Sequence, residues 1–326
     1  MSPAPSVSAP ARARFHQLHS ERTDEISREI IEGLCAQSPY INPKFFYDEM
    51  GSTLFHAITL TPEYYPTRAE AEIFQRHSQA IGAHIGPVGA LIDLGAADCR
   101  KAEALFGVLR PTQYVPVDIS IDYLKTAVSR IELGFPDLDI VALGLDFSDR
   151  LVLPPDVVDV ERLFFYPGSS IGNLSPAAAR PLLASLREAC GDDGGVLIGV
   201  DRVKDGDILT RAYDDALGVT SAFNLNVLRH VNIMIGSDFD ISQWRHVAFF
   251  DEVNSRVEMH LEARCDVEVQ MPAERRRFDA GERIHTESSY KYTPDSFSDL
   301  LRNAGFSRIE HWTDPRAWFS VFSARP

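Results

Sequence analysis

The chain has 326 residues, 44% hydrophobic and 24% charged, with 20 Gly and 20 Pro, a balance that excludes wholesale disorder, collagen and coiled coil. At roughly 150 residues per domain it implies about two domains, with room for a packed core and a cleft between them. Subtracting 47 acidic from 32 basic residues leaves a formal charge of −15 and there is no Lys/Arg run, so no nucleic-acid partner is expected. Cys35, Cys99, Cys190 and Cys265 form no CxxC pair, so neither a zinc site nor a disulfide framework is written here, and a reducing cytoplasm is the expected compartment. No run reaches the ~18 apolar residues of a membrane span and the N-terminus lacks a secretory h-region. A monomer that binds no membrane is expected.

The opening MSPAPSVSAPARARF is rich in Pro, Ala and Ser, and residues 1–20 read as a disordered tail. Residues 21–37 read as a helix with Ile26, Ile30, Ile31 and Leu34 on one stripe, and a second helical segment covers about 45–60. Thr67 followed by Glu70 makes a capping box that starts a third helix after the PEYYP turn. Then come ALIDLG (90–95), QYVPVD (113–118), DIVALGLDF (139–147), RLFFYPG (162–168) and GGVLIGVD (194–201), short apolar runs with buried-strand signatures. Helical patterns KAEALFGVL, IDYLKTAVSRI and SPAAARPLLASLREAC separate them, which predicts a doubly wound parallel sheet binding ligands at its carboxyl strand ends. After Asp201 a helical region (211–232) leads into alternating runs, RVEMHLEAR, CDVEVQ and RIHTESSYKY, the mark of half-exposed antiparallel strands in an inserted second domain. The helix PDSFSDLLRNAG and the pieces SRIEHW and AWFSVFSA end the chain, the last two as an antiparallel edge hairpin on the first sheet. That arrangement resembles the plan of class I methyltransferases.

The first strand, loop and helix read LIDLGAADCRKAEALF, with Gly95 at the strand end and Asp118 closing the next strand, placed to bind ribose hydroxyls. A pyrophosphate site needs G-x-G-x-x-G, whereas this loop runs G-A-A-D-C-R, so the phosphate reading loses support. A nucleoside bearing a cationic sulfonium suits a single Gly with acids at successive strand ends, which Asp93, Asp118 and Asp146 supply. The same acids read equally well as helix caps, so the pattern by itself leaves other α/β-sheet ligands open. No HxH or HExxH spacing suggests a metal, and no G-x-S-x-G elbow offers a hydrolase nucleophile.

Longer strings are more specific: FFYDEMGSTLF (45–55), TPEYYPTRAE (61–70), GSSIGNLSP (168–176), LIGVDRVKD (197–205), RAYDDALGVTSAFNLNVL (211–228) and HTESSYKY (285–292). In this order, from about residue 30 to the C-terminus, they resemble the histidine Nα-methyltransferases that convert L-histidine to hercynine in ergothioneine biosynthesis. The resemblance implies a Rossmann-like domain over 67–202 and 291–326 that binds S-adenosyl-L-methionine, and a smaller α+β substrate domain from 21–66 and 203–290. It implies that Tyr47 and Asn173 lie at the substrate amine as the catalytic pair, that Asn173 and Tyr213 hold the carboxylate, and that Glu287 and Ser289 grip the imidazole. Tyr64, which also touches substrate, lines the methyl-donor site with Gly95, Lys101, Asp118, Asp146 and Phe147.

One departure stands out. The family's strand-one loop reads like LGSGTSEK, whereas this chain has LGAADCRK, which requires Ala97 to avoid positive φ and puts Asp98 near the sulfonium or in solvent. In an in-line transfer the protein mainly aligns nitrogen, methyl and sulfur, and such positioning supplies ~7–11 kcal/mol. The α-amine must lose a proton, for which Tyr47 is the candidate acceptor or merely an orienting hydroxyl. Aromatic faces suit the quaternary product, with Tyr47 and Tyr64 facing it and Phe46 and Tyr65 in the core. Asn173 reads alternatively as a helix cap and Glu287 as solvated surface. Competing readings are the same chemistry on another amino acid such as a tryptophan derivative, and a binding protein that has lost donor affinity.

Overall fold

Five apolar runs become parallel strands because each feeds two cores at once. The computed structural model describes residues 13–18, 23–119, 121–147, 151–272 and 274–326. Its strands are β1 (Arg14–Gln17), β2 (Ala90–Leu94), β3 (Gln113–Asp118), β4 (Asp139–Gly144), β5 (Arg162–Tyr166), β6 (Gly195–Asp201), β7 (Trp244–Asp251), β8 (Arg256–Ala263), β9 (Val267–Gln270), β10 (Arg275–Phe278), β11 (Arg283–Tyr290), β12 (Arg308–Thr313) and β13 (Phe319–Arg325). Along β2 and β5, Leu91 and Phe165 enter the core under helix Pro66–Ile85, while Ile92 and Phe164 enter the opposite core under helices Pro176–Ala189 and Pro294–Asn303. All four are wholly buried, each contributing roughly 1.5–3 kcal/mol of burial.

The main sheet has the order β1-β4-β3-β2-β5-β6-β13-β12. Pairing is parallel from β1 to β6 and antiparallel at β6–β13 and β13–β12. This is the class I methyltransferase arrangement, and it bears out the late hairpin read from SRIEHW and AWFSVFSA. Strand order reverses at β2, between β3 and β5, so the loops after β2 and β5 diverge and open a crevice at the carboxyl ends. Among the described residues no helix is long and apolar enough to cross a membrane.

A second body is built from β7, β8 and β11, paired antiparallel, with the β9–β10 hairpin and helix Val219–Ile235. Trp244 packs there against Phe239 and Phe278, with ring centroids 5.7 and 5.1 Å away. Helices Thr23–Cys35 and Glu49–Leu60 lie on helix Val219–Ile235. His230 donates to the Phe45 carbonyl at 2.8 Å, and Asn226 donates to Asp48 at 2.8 Å. The lobe returns to the sheet where Tyr292 donates its N–H to the Asp201 carbonyl at 3.1 Å.

Local expectations are corrected in four places. Arg14–Gln17 is not frayed but pairs with β4, held by Arg14 on Asp139 at 2.7 Å; residues 1–12, 19 and 20 of the expected tail lie outside the described residues. The segment 45–60 is split, because Asp48 caps Glu49–Leu60 by accepting from Gly51 N–H at 2.6 Å, leaving Pro43–Phe46 as a separate 3-10 turn. KAEALFGVL forms two short helices, Arg100–Glu103 and Phe106–Leu109, rather than one. The Thr67/Glu70 capping box does not form, since the helix begins at Pro66 without a side-chain cap and Glu70 turns inward.

Gly172 sets how closely lobe and sheet approach, because a Cβ there would sit 2.8 Å from the Tyr290 carbonyl oxygen of β11. Gly172→Ala is expected to destabilise the protein by about 1–3 kcal/mol through that overpacking. An unchanged urea-unfolding midpoint would contradict the close approach.

Candidate active site

The loop after β2 forms the first wall. Gly95 takes φ +68°, with open space where a Cβ would stand. Ala97 takes φ +47° and Cys99 φ +61°, so the expectation that Ala97 avoids the left-handed region is corrected. The cost, roughly 1–2 kcal/mol for a residue bearing a Cβ, is offset where Ala97 donates its N–H to Asp118 at 3.1 Å. Asp93 lies beneath the loop, accepting from the Tyr114 hydroxyl at 2.7 Å, and burial pushes its carboxyl up to about 7 against that bond and the Lys101 charge. Asp98 faces outward, accepting from Arg100 N–H at 3.1 Å.

Asp118 and Asp146 stand part-buried at successive strand ends, and Phe147 meets Tyr166 edge to face at 5.6 Å. Lys101 pairs with Glu70 at 2.7 Å, and the other Glu70 oxygen accepts from Gly168 N–H at 2.7 Å. One inward carboxylate thus ties the loops after β2 and β5 together. An open, Gly-hinged loop without a phosphate cradle, ringed by Asp118 and Asp146, fits a sulfonium nucleoside.

The second wall is aromatic. Tyr47 follows the 3-10 turn and is 48% exposed, its ring edge to face with Phe55 at 5.8 Å and Phe223 at 6.0 Å. Tyr64 meets Phe55 at 6.2 Å and Tyr213 at 6.4 Å. Although the ring is half exposed, desolvation at its hydroxyl end, reinforced by the charge of Glu287 and by the neighbouring tyrosines, holds the Tyr47 phenol above its ordinary range, so it is not a phenolate at rest. Phe46 stacks on Phe223 at 4.5 Å and Tyr65 is buried on Asp201, so both are core side chains as expected.

The floor is polar and forms where β6, helix Gly206–Tyr213 and the end of β11 meet. Tyr213 donates to Ser289 Oγ at 2.8 Å, and the buried Lys291 donates to Tyr213 Oη at 2.9 Å and to Ser289 Oγ at 2.8 Å. Asp201 receives Lys291 at 2.9 Å, Lys204 at 2.6 Å and the Tyr65 hydroxyl at 2.8 Å. Burial would raise Asp201, but the two ammonium groups outweigh it and hold the carboxyl below its ordinary range. Burial draws Lys204 down to about 8 against the pull of Asp201.

Glu287 is a different case. Burial pushes it up to about 7, opposed by Lys291, and among the described residues its carboxylate has no hydrogen-bond partner. It acts electrostatically on Tyr47, Tyr64 and Tyr213 alike, so it is not solvated surface. Asn173 ends the 3-10 turn Ser170–Asn173 and caps nothing, since Ser175 caps the following helix by accepting from Ala178 N–H at 3.2 Å.

The structure therefore brings Tyr47, Tyr64, Tyr213, Glu287 and Ser289 close to one another, and Gly172, the chain neighbour of Asn173, packs on β11 at Tyr290 beside Ser289. Gly95, Lys101, Asp118, Asp146 and Phe147 sit at neighbouring strand ends, Asp146 close enough to act on Tyr166. Sequence reasoning missed Phe55, Phe223, Glu70 and Lys291. Phe55 and Phe223 stand inside the longer strings without a role of their own, and Glu70 read as a cap. Lys291 carried a faint signal, since a lysine in an alternating strand next to a core aromatic is out of pattern.

A family model described as "Histidine-specific methyltransferase, SAM-dependent" matches residues 26–326. The chain is 38% identical over 304 residues to a histidine N-alpha-methyltransferase of Mycolicibacterium smegmatis, covering 91% of this chain and 94% of that protein. Its counterpart in Mycobacterium tuberculosis is 37% identical over 302 residues, covering 91% and 93%. N-methyltransferase dtpB of Aspergillus flavus is 28% identical over 319 residues, covering 93% and 89%.

The positive φ at Ala97 makes side-chain shape at that position decisive. Ala97→Val is expected to cost roughly 1–3 kcal/mol and to weaken donor binding in calorimetry, because a β-branched residue is barred from that region. Ala97→Gly should bind the donor at least as tightly as the wild type; equal affinity in both variants would show that the loop is not strained.

Proposed function

The chain belongs to the histidine-specific, S-adenosyl-L-methionine-dependent methyltransferase family, and from that membership we propose that it trimethylates the α-amine of free L-histidine to hercynine, the first step of ergothioneine biosynthesis. The observation that carries this reading is the convergence of an unpartnered carboxylate, Glu287, and a hydroxyl pair, Tyr213 and Ser289, on the pocket walled by Tyr47 and Tyr64. Bound S-adenosyl-L-methionine supplies a methyl carbon on a sulfonium leaving group. Gly95, Lys101, Asp118, Asp146 and Phe147 hold it at the strand ends.

The remaining work belongs to the pocket's own side chains. Glu287 accepts the imidazole N–H and Ser289 addresses the other ring nitrogen, so an amino acid without that ring leaves a buried carboxylate unpaired at about 1–3 kcal/mol. Tyr213 and Asn173 hold the substrate carboxylate, and Asn173 and Tyr47 hold the amine. The Tyr47 phenol, raised far above neutral, orients the nitrogen lone pair, and its exposed edge lets the ammonium proton pass to water. The ring faces of Tyr47, Tyr64 and Phe223 that turn to the growing cation are each worth ~0.5–2 kcal/mol. The reading is of a monomer, and the widely spaced thiols support a cytoplasmic setting. Residues 67–202 with 291–326 then form the donor domain, and 21–66 with 203–290 the substrate domain.

Mass spectrometry of a reaction holding the donor and the twenty amino acids is expected to find three added methyl groups on histidine alone; methylation of a tryptophan derivative instead would select the runner-up substrate. Glu287→Ala should weaken histidine selectivity more than donor binding, and equal loss of both contradicts its role. Glu287 must be ionised to accept an N–H and titrates near 7, so the KM for histidine is expected to rise as pH falls below about 7, an effect flattened in Glu287→Gln. Tyr47→Phe should lower kcat/KM by about 10–100-fold, the worth of one hydrogen bond to a charged group. Its pH profile should keep the wild-type shape, whereas loss of the acid-side limb, the rise of activity with pH that deprotonation of a base produces, would make Tyr47 the proton acceptor.

A further inference from the structure

Lys291 has a wholly buried side chain, does not face the cleft, and spends each of its three N–H groups: on Tyr213 Oη at 2.9 Å, Ser289 Oγ at 2.8 Å and Asp201 Oδ2 at 2.9 Å. Between them the two hydroxyls hold two hydrogens, and their mutual bond at 2.8 Å consumes one. With that bond in place, only one hydrogen of the pair can reach a ligand. Left to themselves, two adjacent hydroxyls in a buried pocket satisfy each other.

We propose that Lys291 is a positioning residue for substrate selection: by donating to both hydroxyl oxygens it occupies their acceptor sites, so that the Tyr213–Ser289 bond can be exchanged for acceptors on a ligand and both hydrogens turn towards it. The inference rests on the reading of Tyr213 and Ser289 as contacts to the substrate carboxylate and ring. With each oxygen already accepting from an ammonium, the pair becomes two donors side by side, which match a ligand presenting two acceptors, a carboxylate and an unprotonated ring nitrogen. The charge has the same sense. Asp201 carries two ammonium groups against one carboxylate, so the network presents an excess positive charge to an incoming carboxylate, and Lys291 stands nearest the pocket. Glu287 on the same strand covers the ring's N–H. Donor and acceptor roles around the imidazole are thereby divided by one lysine that touches no substrate.

Lys291→Met removes the donors and roughly keeps the volume, while Lys204 and Tyr65 stay on Asp201. The expected result is a loss of about 10–100-fold in kcat/KM for histidine, mostly in KM, with donor affinity by calorimetry within about twofold of wild type. Because Lys291 acts through the hydroxyls, the same substitution in a Tyr213→Phe/Ser289→Ala background should cost under about threefold. Lys291→Gln, which keeps two donors, should fall between, and it carries the test if the Met variant does not fold. Undiminished loss in the double-variant background, parallel loss of donor binding, or failure of both variants to fold overturns the assignment. A wild-type protein that does not methylate histidine at all would instead remove the functional reading underneath.

Discussion

One buried carboxylate holds the two bodies of this protein in register. Asp201 ends β6 with a side chain 1% exposed, and burying such a charge alone would cost several kcal/mol. Lys204, Lys291 and the Tyr65 hydroxyl supply the missing solvation. These groups come from the segment before the long first-domain helix, from the loop after β6 and from the residue after β11, so satisfying one charge fixes three segments at once. The Asp201 main chain adds to the joint, donating to Ser169 Oγ at 2.9 Å and accepting from Tyr292. Any sliding of the lobe against the sheet would strand an ion in a dry interior.

Around that joint the two halves of the chemistry are built differently. The donor side is a loop at a topological switch point, shaped by backbone: positive φ at Gly95, Ala97 and Cys99, with Asp118 and Glu70 pinning it from the flanks. The acceptor side is shaped by side chains, an aromatic wall largely from helical segments and a polar floor where the end of helix Gly206–Tyr213 meets β11. A backbone-lined site tolerates sequence change, provided the dihedrals survive, which is how LGAADCRK can carry an alanine at a left-handed position. A side-chain-lined site does not share that tolerance, because each polar group there is matched to one atom of the ligand.

The resulting electrostatics run in opposite directions within a few side chains. Glu287 is raised by burial, while the more deeply enclosed Asp201 is lowered by the two lysines. The difference is partnership: Asp201 pairs directly with two ammonium groups, whereas Glu287 is opposed by Lys291 only through space. Separating two like groups in this way turns a structural ion cluster and a recognition group into neighbours without letting them neutralise each other.

The order of strands and helices, the late hairpin and the strings around Tyr47, Asn173 and Glu287 were legible in the sequence, because period-two and period-3.6 patterning and a distinctive motif are local properties. The strand at Arg14–Gln17, the inward turn of Glu70 and the break between Pro43–Phe46 and Glu49–Leu60 were not, because each depends on a partner more than 90 residues away or on a cap competing with helix propensity. The same holds for φ at Ala97, which a sequence reading expects to be negative and which the Asp118 bond helps hold positive. By itself, then, the chain's order of residues determined which elements form and which chemical groups are present. Only the tertiary structure decided which of those groups meet, since whether a lysine in an alternating strand faces water or a buried carboxylate is set by what packs across from it.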